Sequence, residues 1–352
     1  MTLEELGYSD KIKIDIVLEG FEIGRIIAEH KERYIVRTQK GDLDAEITGN
    51  LRFSAESRED FPAVGDWVAL TIYDDNFSVI HKIFPRYSVI SRRAAGKYGE
   101  IQVIAANIDF AFIVQAIDRD FSVNRLERYL TICNQSKVTP VIILTKIDLI
   151  DAQRISEILS AVSSRIKNVK IIAISNESFD GFDDVKKVIQ KGKTYCFLGS
   201  SGVGKSTMIN NLSGKNLMRT DEISSAADRG RHITSHRELI VLDSGGILID
   251  NPGMREVGIT DAADGLETTF NEIAVLSEKC RFKDCTHTSE TGCAVIAAVN
   301  AGELDKESYE NYLKMEKEKS FFESSALERR QKDKQFGKIM KSYKKNFNKN
   351  KF

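Results

Sequence analysis

Two short stretches of this 352-residue chain combine residue types and spacings that act on phosphate and on a nucleobase. The first is Gly199-Ser200-Ser201-Gly202-Val203-Gly204-Lys205-Ser206, a G-x-x-x-x-G-K-S run. It follows the apolar stretch Tyr195 to Leu198 and opens a helix whose Met208, Ile209 and Leu212 share one face. Glycines let the backbone curl so that successive N–H groups point inward at phosphate oxygens. The helix N-terminus behind them favours anions. Lys205 is spaced to reach the β and γ phosphates, and Ser206 to ligate Mg²⁺. Thr207 completes this phosphate-binding set.

The second stretch is Thr145-Lys146-Ile147-Asp148, at the end of the apolar run Val141 to Leu144. A buried carboxylate at Asp148 accepts two hydrogen bonds from guanine N1–H and its amine, a pair adenine does not offer. Lys146 is expected to lie along the base plane and touch the phosphate loop. The combination resembles the GTPase superfamily, whose usual base motif is Asn-Lys-x-Asp; Thr145 replaces the Asn. Ser175-Asn176 ends the run Ile171 to Ile174 and is placed like the superfamily's Ser-Ala motif, which offers a backbone N–H to the guanine oxygen. Asp250-Asn251-Pro252-Gly253 resembles the Asp-x-x-Gly switch: Asp250 would hold Mg²⁺ through water and the Gly253 N–H would sense the γ-phosphate. The residue that follows, where a water-orienting Gln is usual, is Met254. Gly230-Arg231-His232-Ile233-Thr234 stands where the first switch belongs. Thr234, with Ser235 as the alternative, is the expected Mg²⁺-ligating threonine, and His232 the candidate to position the attacking water. The order of parts is permuted, since the base motifs precede the phosphate loop.

A third constellation is Cys280-x4-Cys285-x-His287-x5-Cys293. Three thiolates and one imidazole are the ligand set of a closed, four-coordinate structural zinc site. Cys133 and Cys196 lie in apolar surroundings and read as core residues.

The elements that must position these residues fall into three parts. Residues 1–92 read as short strands, with alternation in Phe21, Ile23, Arg25 and Ile27 and turns at Lys40-Gly41-Asp42 and Val64-Gly65-Asp66. A small β-barrel is predicted, either binding oligonucleotides or only supporting its neighbour. Arg86 to Gln102 reads as a linker. From 93 to 262, buried apolar runs alternate with helix-length segments such as Val123 to Asn134 and Ala152 to Ser164, the pattern of a mostly parallel α/β sheet. The runs flanking Ser244-Gly245-Gly246 form a hairpin instead. Residues 263–352 read as mostly helical, interrupted by the Cys/His cluster.

Composition adds limits. Hydrophobic residues are 41% and the formal net charge is -1, enough core for a multidomain chain. From Ala326 to Phe352 there are ten Lys or Arg against Glu328 and Asp333, so the tail is basic and the body acidic. A polyanion is the expected partner of such a tail; a solvated end is the alternative. No charged start precedes an apolar run, and no stretch approaches a membrane span. A cytoplasmic monomer with no membrane partner is expected.

With these pieces assembled, the chain resembles the ribosome small-subunit-dependent GTPase A (RsgA) family over nearly its whole length. The barrel with Val64-Gly65-Asp66-Trp67 is similar to that family's OB-fold domain, and Ile104-Ala105-Ala106-Asn107-Ile108-Asp109 to its entry into the GTPase domain. The resemblance implies an N-terminal OB-fold barrel, a circularly permuted α/β P-loop GTPase domain and a C-terminal helical zinc domain. It implies GTP/GDP, Mg²⁺ and one zinc as bound groups. It further implies that the maturing small ribosomal subunit and its rRNA are partners, with hydrolysis stimulated by that subunit. A GTP-controlled binding module with hydrolysis only as a timer is the alternative, and a kinase using the same phosphate loop a third reading.

Overall fold

The computed structural model of the chain describes residues 1–12, 20–30, 33–93, 101–118, 121–215, 238–250 and 263–323. Five strands close an N-terminal barrel: β1 (Glu22–His30), β2 (Arg33–Thr38), β3 (Gly41–Ile47), β4 (Trp67–Ile72) and β5 (Phe77–Ile83). They pair in the order β1-β2-β3-β5-β4, and β4 returns to β1. Closure leaves no open edge within this ring. β3 shows the sequence logic: Leu43, Ala45 and Ile47 are buried while Asp42, Asp44 and Glu46 between them are exposed. The inward residues meet Ile26, Val36, Val68, Leu70 and Ile80. A short helix, α1 (Gly49–Ser54), follows β3 and is capped by the Thr48 hydroxyl, which accepts from Leu51 N–H at 3.2 Å.

The outward face of β1 is buried too. Phe21 and Ile23 pack with Leu6, Trp67 and Phe84. Arg25, the one charged residue in that alternation, is only 1% exposed. It donates to the carbonyls of Leu6 (2.6 Å), Gly65 (3.2 Å) and Asn107 (3.1 Å) and to Thr194 Oγ1 (3.0 Å). Burial lowers its pKa to about 10, which still leaves it protonated at neutral pH. One side chain therefore fixes the N-terminal turn, the barrel and the following α/β unit to one another.

The stretch read as a linker contains two paired antiparallel strands, β6 (Val89–Arg93) and β7 (Ile101–Ala106). The charges at Arg92 and Arg93 hid the strand pattern, but Ile90, Val103, Ile104 and Ala105 are buried. Beyond it lies the α/β sheet: β8 (Phe110–Ala116), β9 (Thr139–Thr145), β10 (Lys170–Ala173), β11 (Thr194–Leu198), β12 (Glu238–Val241) and β13 (Ile247–Asp250). The order is β10-β9-β8-β11-β13-β12, parallel except for β12, which pairs antiparallel with β13 as the hairpin reading required. Ala28 of β1 pairs with Glu238 of β12, so barrel and α/β sheet are continuous.

Two helices, α2 (Val123–Gln135) and α3 (Ala152–Arg165), cover one face of this sheet. α4 (Phe182–Val188) and α5 (Lys205–Ser213) cover the other. Strand β8 serves both layers: Ala111 and Ile113 face the first, Phe112 and Val114 the second. The chain runs outward from β8 to β9 to β10, then returns to place β11 on the other side of β8. The direction of winding reverses between β8 and β11. The carboxyl ends of strands at such a reversal form a ligand crevice.

The C-terminal part is helical, with α6 (Ala263–Thr269), α7 (Asn271–Ser277), α8 (Ala294–Ala301) and α9 (Lys306–Glu323). Its own core gathers Leu266, Phe270, Ile273, Val295, Leu304 and Met315. It docks on α2. Arg128 makes a two-pronged pair with Glu318 (2.8 and 2.5 Å), and Asn134 donates to Thr269 (2.9 Å). Among the described residues no helix is long and apolar enough to cross a membrane.

Candidate nucleotide site and metal centre

The phosphate loop lies between β11 and α5, at the reversal point. Gly199 adopts φ +155°, and a Cβ there would stand 2.2 Å from the Val114 carbonyl of β8. Only glycine lets the loop start so close to the neighbouring strand. Gly202 and Gly204 also have positive φ, Val203 is buried, and Ser201 is exposed beside half-buried Ser200. Lys205 Nζ donates to the Gly199 (2.8 Å) and Ser200 (2.6 Å) carbonyls, which holds the ammonium over the loop. Ser206 and Thr207 follow, half-buried, in the first turn of α5.

The base motif meets this loop directly. Thr145, fully buried at the end of β9, donates its hydroxyl to the Val203 carbonyl at 2.6 Å. Lys146 takes a left-handed conformation, φ +65°, uncommon for a side-chain-bearing residue outside functional turns. Its ammonium pairs with Asp118 beyond β8 at 3.2 Å, rather than with the phosphate loop as expected. Asp148 departs from expectation as well. The 3₁₀ turn Ile147–Leu149 tucks Ile147 inward and leaves Asp148 exposed. Ser175 is buried; its Oγ accepts from the N–H groups of Glu177 (3.1 Å) and Ser178 (3.1 Å), shaping the loop after β10. Asn176 donates Nδ2 to the Gly204 carbonyl at 3.2 Å.

Asp250 ends β13 and is 5% exposed, one strand over from β11. A buried carboxylate at that strand end has the chemistry to hold Mg²⁺ beside the Ser206 hydroxyl. His232, Thr234, Ser235, Gly253 and Met254 lie outside the described residues. Sequence reading missed Tyr129. This α2 residue is buried beside Ser200 of the loop, and burial raises its pKa. Its apolar neighbours Leu126, Leu130 and Cys133 share the core, so the pattern marked it only as core.

The Cys/His constellation comes together as its spacing implied. The ligand atoms of Cys280, Cys285, His287 and Cys293 all lie within 4.8 Å of one another. Cys280 and Cys293 sulfurs are 3.9 Å apart, and His287 Nδ1 is 3.7 and 3.5 Å from them. Tetrahedral zinc with bonds of about 2.3 Å sets its thiolates about 3.8 Å apart. The donor set and its spacing thus fit a closed zinc site. Burial lowers the His287 pKa, favouring the neutral ring a metal binds. Two contacts hold the knuckle. Glu290 accepts from the N–H groups of Thr286 (2.8 Å), Thr288 (2.9 Å) and Ser289 (3.0 Å). Tyr309 of α9 donates to the His287 carbonyl at 2.6 Å. Cys293 also caps α8, its sulfur accepting from Ile296 N–H at 3.5 Å.

A phosphate loop at the reversal of an α/β sheet, a Lys-x-Asp turn whose preceding Thr145 bonds that loop, and base motifs earlier in the chain than the loop define a permuted P-loop nucleotide-binding protein. The chain belongs to the RsgA GTPase family, whose model matches residues 83–260. It is 42% identical over 340 residues to a protein of Lactiplantibacillus plantarum named small ribosomal subunit biogenesis GTPase RsgA 2, covering 96% of this chain and 95% of that one. It is 40% identical to its Bacteroides thetaiotaomicron counterpart RsgA 1, covering 92% and 90%. Among solved structures it is similar to YjeQ from Thermotoga maritima (TM-score 0.61, 25% identity, 84% of this chain and 97% of that one). It is likewise similar to YloQ, described as a circularly permuted GTPase (TM-score 0.63, 25% identity, 89% and 100%). Membership implies GTP and GDP as ligands, with Mg²⁺.

Proposed function

We propose that this chain is a GTP hydrolase that binds the small ribosomal subunit and couples GTP hydrolysis to its late maturation. The observation that carries the nucleotide half is the Thr145–Val203 hydrogen bond, which joins the base motif to the phosphate loop. The curated relatives' names, small ribosomal subunit biogenesis GTPase, support the other half. In this reading Asp148 accepts from guanine, with Thr145, Lys146 and the Ser175-Asn176 backbone framing the base. The loop from Gly199 to Gly204 cradles the phosphates, and Lys205 neutralises charge on β and γ oxygens. Ser206, Asp250 and Thr234 would hold Mg²⁺, which when bound would neutralise charge on the phosphates, and Gly253 would sense the γ-phosphate. His232 positions the attacking water, since Met254 has no hydrogen-bonding group for it. His232→Ala should leave GTP affinity within about twofold and lower stimulated turnover by about 10²-fold, read by phosphate release; full stimulated turnover would remove His232 from the mechanism.

Three functional units follow: 1–92, an RNA-binding barrel; 93–262, the permuted GTPase unit; 263–352, a zinc-held helical unit with a basic tail. The zinc is structural, because protein supplies four ligands and leaves no position for water. Lys332, Lys334, Lys338, Lys341, Lys344 and Lys345 of the tail suit phosphate contacts on rRNA, and Phe336, Tyr343 and Phe347 suit stacking. The protein works as a cytoplasmic monomer. Co-sedimentation with purified small subunits tests the partner: retention with a non-hydrolysable GTP analogue and loss with GDP is expected. Equal retention on large subunits, or none on small ones, contradicts the assignment. The second reading, a binding module that uses hydrolysis only as a timer, draws on Met254 standing where a Gln is usual.

A further inference from the structure

Thr145 stands where a carboxamide is usual, and its single donor is committed to the Val203 carbonyl. A carboxamide nevertheless reaches the phosphate loop, from the next strand over. Asn176, in the loop after β10, donates Nδ2 to the Gly204 carbonyl at 3.2 Å. Its own carbonyl accepts from Asn211 Nδ2 of α5 at 3.0 Å. The fit is close: Gly204 has φ +92°, and a Cβ there would stand 2.5 Å from Asn176 Nδ2. The Gly204 carbonyl also accepts from Met208 N–H at 2.9 Å, so the amide grips the first turn of the helix that faces the phosphates. At the amide's other end, Oδ1 is buried without a donor.

We propose that Asn176 is a positioning residue of the nucleotide site: its side-chain amide locks the base-reading loop onto the phosphate loop, the second tether that Thr145 does not supply. This deepens the nucleotide assignment above and rests on it. Any residue at 176 offers a backbone N–H to guanine, but only a side chain with a donor at this reach ties the two loops together. Base and phosphates are held by different loops, so the tether converts two weak grips into one. Its loss should show in how fast nucleotide leaves, not in the rate at which bound GTP is cleaved.

The test is release of a fluorescently labelled GDP, with single-turnover GTP cleavage, from the full chain and from N176A, N176D, T145N and T145N/N176A. N176A should release GDP about 5- to 10-fold faster, the effect of one lost hydrogen bond and a larger change than any in single-turnover cleavage. N176D should release faster still, because a carboxylate sets an acceptor against the Gly204 carbonyl. T145N/N176A should return to within about twofold of T145N, since Asn at 145 restores a carboxamide between the loops. Release from N176A at the parent rate overturns the proposal. So does acceleration that T145N fails to rescue, or a cleavage rate that falls with the melting temperature, as a merely structural role would give. Should T145N not fold, the order of N176A and N176D decides: N176D no faster than N176A also overturns it. Failure of the parent chain to bind GDP would instead overturn the nucleotide assignment itself.

Discussion

Asp148 is the residue proposed to read the base, and its exposure sharpens what a substitution there should do. As a carboxylate it offers only acceptors, matched to the two N–H groups of guanine. Asp148→Asn offers one acceptor and one donor, matched to the N1–H and O2 of xanthine. GTP affinity should fall by at least roughly a hundredfold and XTP affinity should rise, as read by competition for the site. Unchanged preference would mean that the base is read elsewhere. At this scale the phosphate loop, the base motif and the zinc ligands were legible in the sequence, because each is a local string whose chemistry needs fixed spacing. The contacts that join the strings were not. Thr145 to Val203 and Asn176 to Gly204 span 58 and 28 residues, and only the order of strands brings them together. Lys146 was assigned to the phosphate loop, yet it pairs with Asp118, whose place past β8 is fixed by the sheet.

Among the elements, α2 carries contacts on two sides. Tyr129, with Leu126 and Leu130, is buried in the core against the sheet. Elsewhere on the helix Glu127, 3% exposed, pairs with Arg165 of α3 at 2.7 Å and accepts from Asn311 (2.6 Å) and Ser308 (3.2 Å). Arg165 also meets Glu307 at 3.1 Å, so α9 is docked on a buried ion pair. Glu127→Ala leaves Arg165 buried without its main partner, and should cost about 3 kcal/mol, measured by denaturant unfolding. The same change should raise hydrogen exchange in α9; a loss under about 0.5 kcal/mol, with α9 protection intact, would show that the ion pair does not hold the C-terminal unit. Element types were legible where apolar runs were continuous, as in β11, read at Tyr195 to Leu198 and found at Thr194–Leu198. They failed at β6 and β7, where charge broke the run and burial comes from the sheet partner. Glu127 carries no such signal in the sequence, because only the closing of α3 and α9 over it buries it.

For the whole molecule, barrel, permuted sheet and C-terminal helices form one connected body, joined at Arg25, at the Ala28–Glu238 pairing and along α2. Zinc removal should loosen residues 263–323 while the nucleotide site, built from β8 to β13, keeps its affinity; hydrogen exchange and GDP binding after chelation read the two parts separately. Metal should also leave as pH falls, because thiolates and the His287 ring bind protons in place of zinc, so zinc retention rises from acid toward neutral pH. Loss of GDP binding on chelation would mean the two parts do not stand independently. The proposed link between the nucleotide site and the small ribosomal subunit is tested by GTP turnover with and without purified small subunits. Turnover should be slow alone, rise at least roughly tenfold with small subunits but not large ones, and show no competition from ATP. Turnover indifferent to the subunit, or ATP displacing GTP, would contradict it.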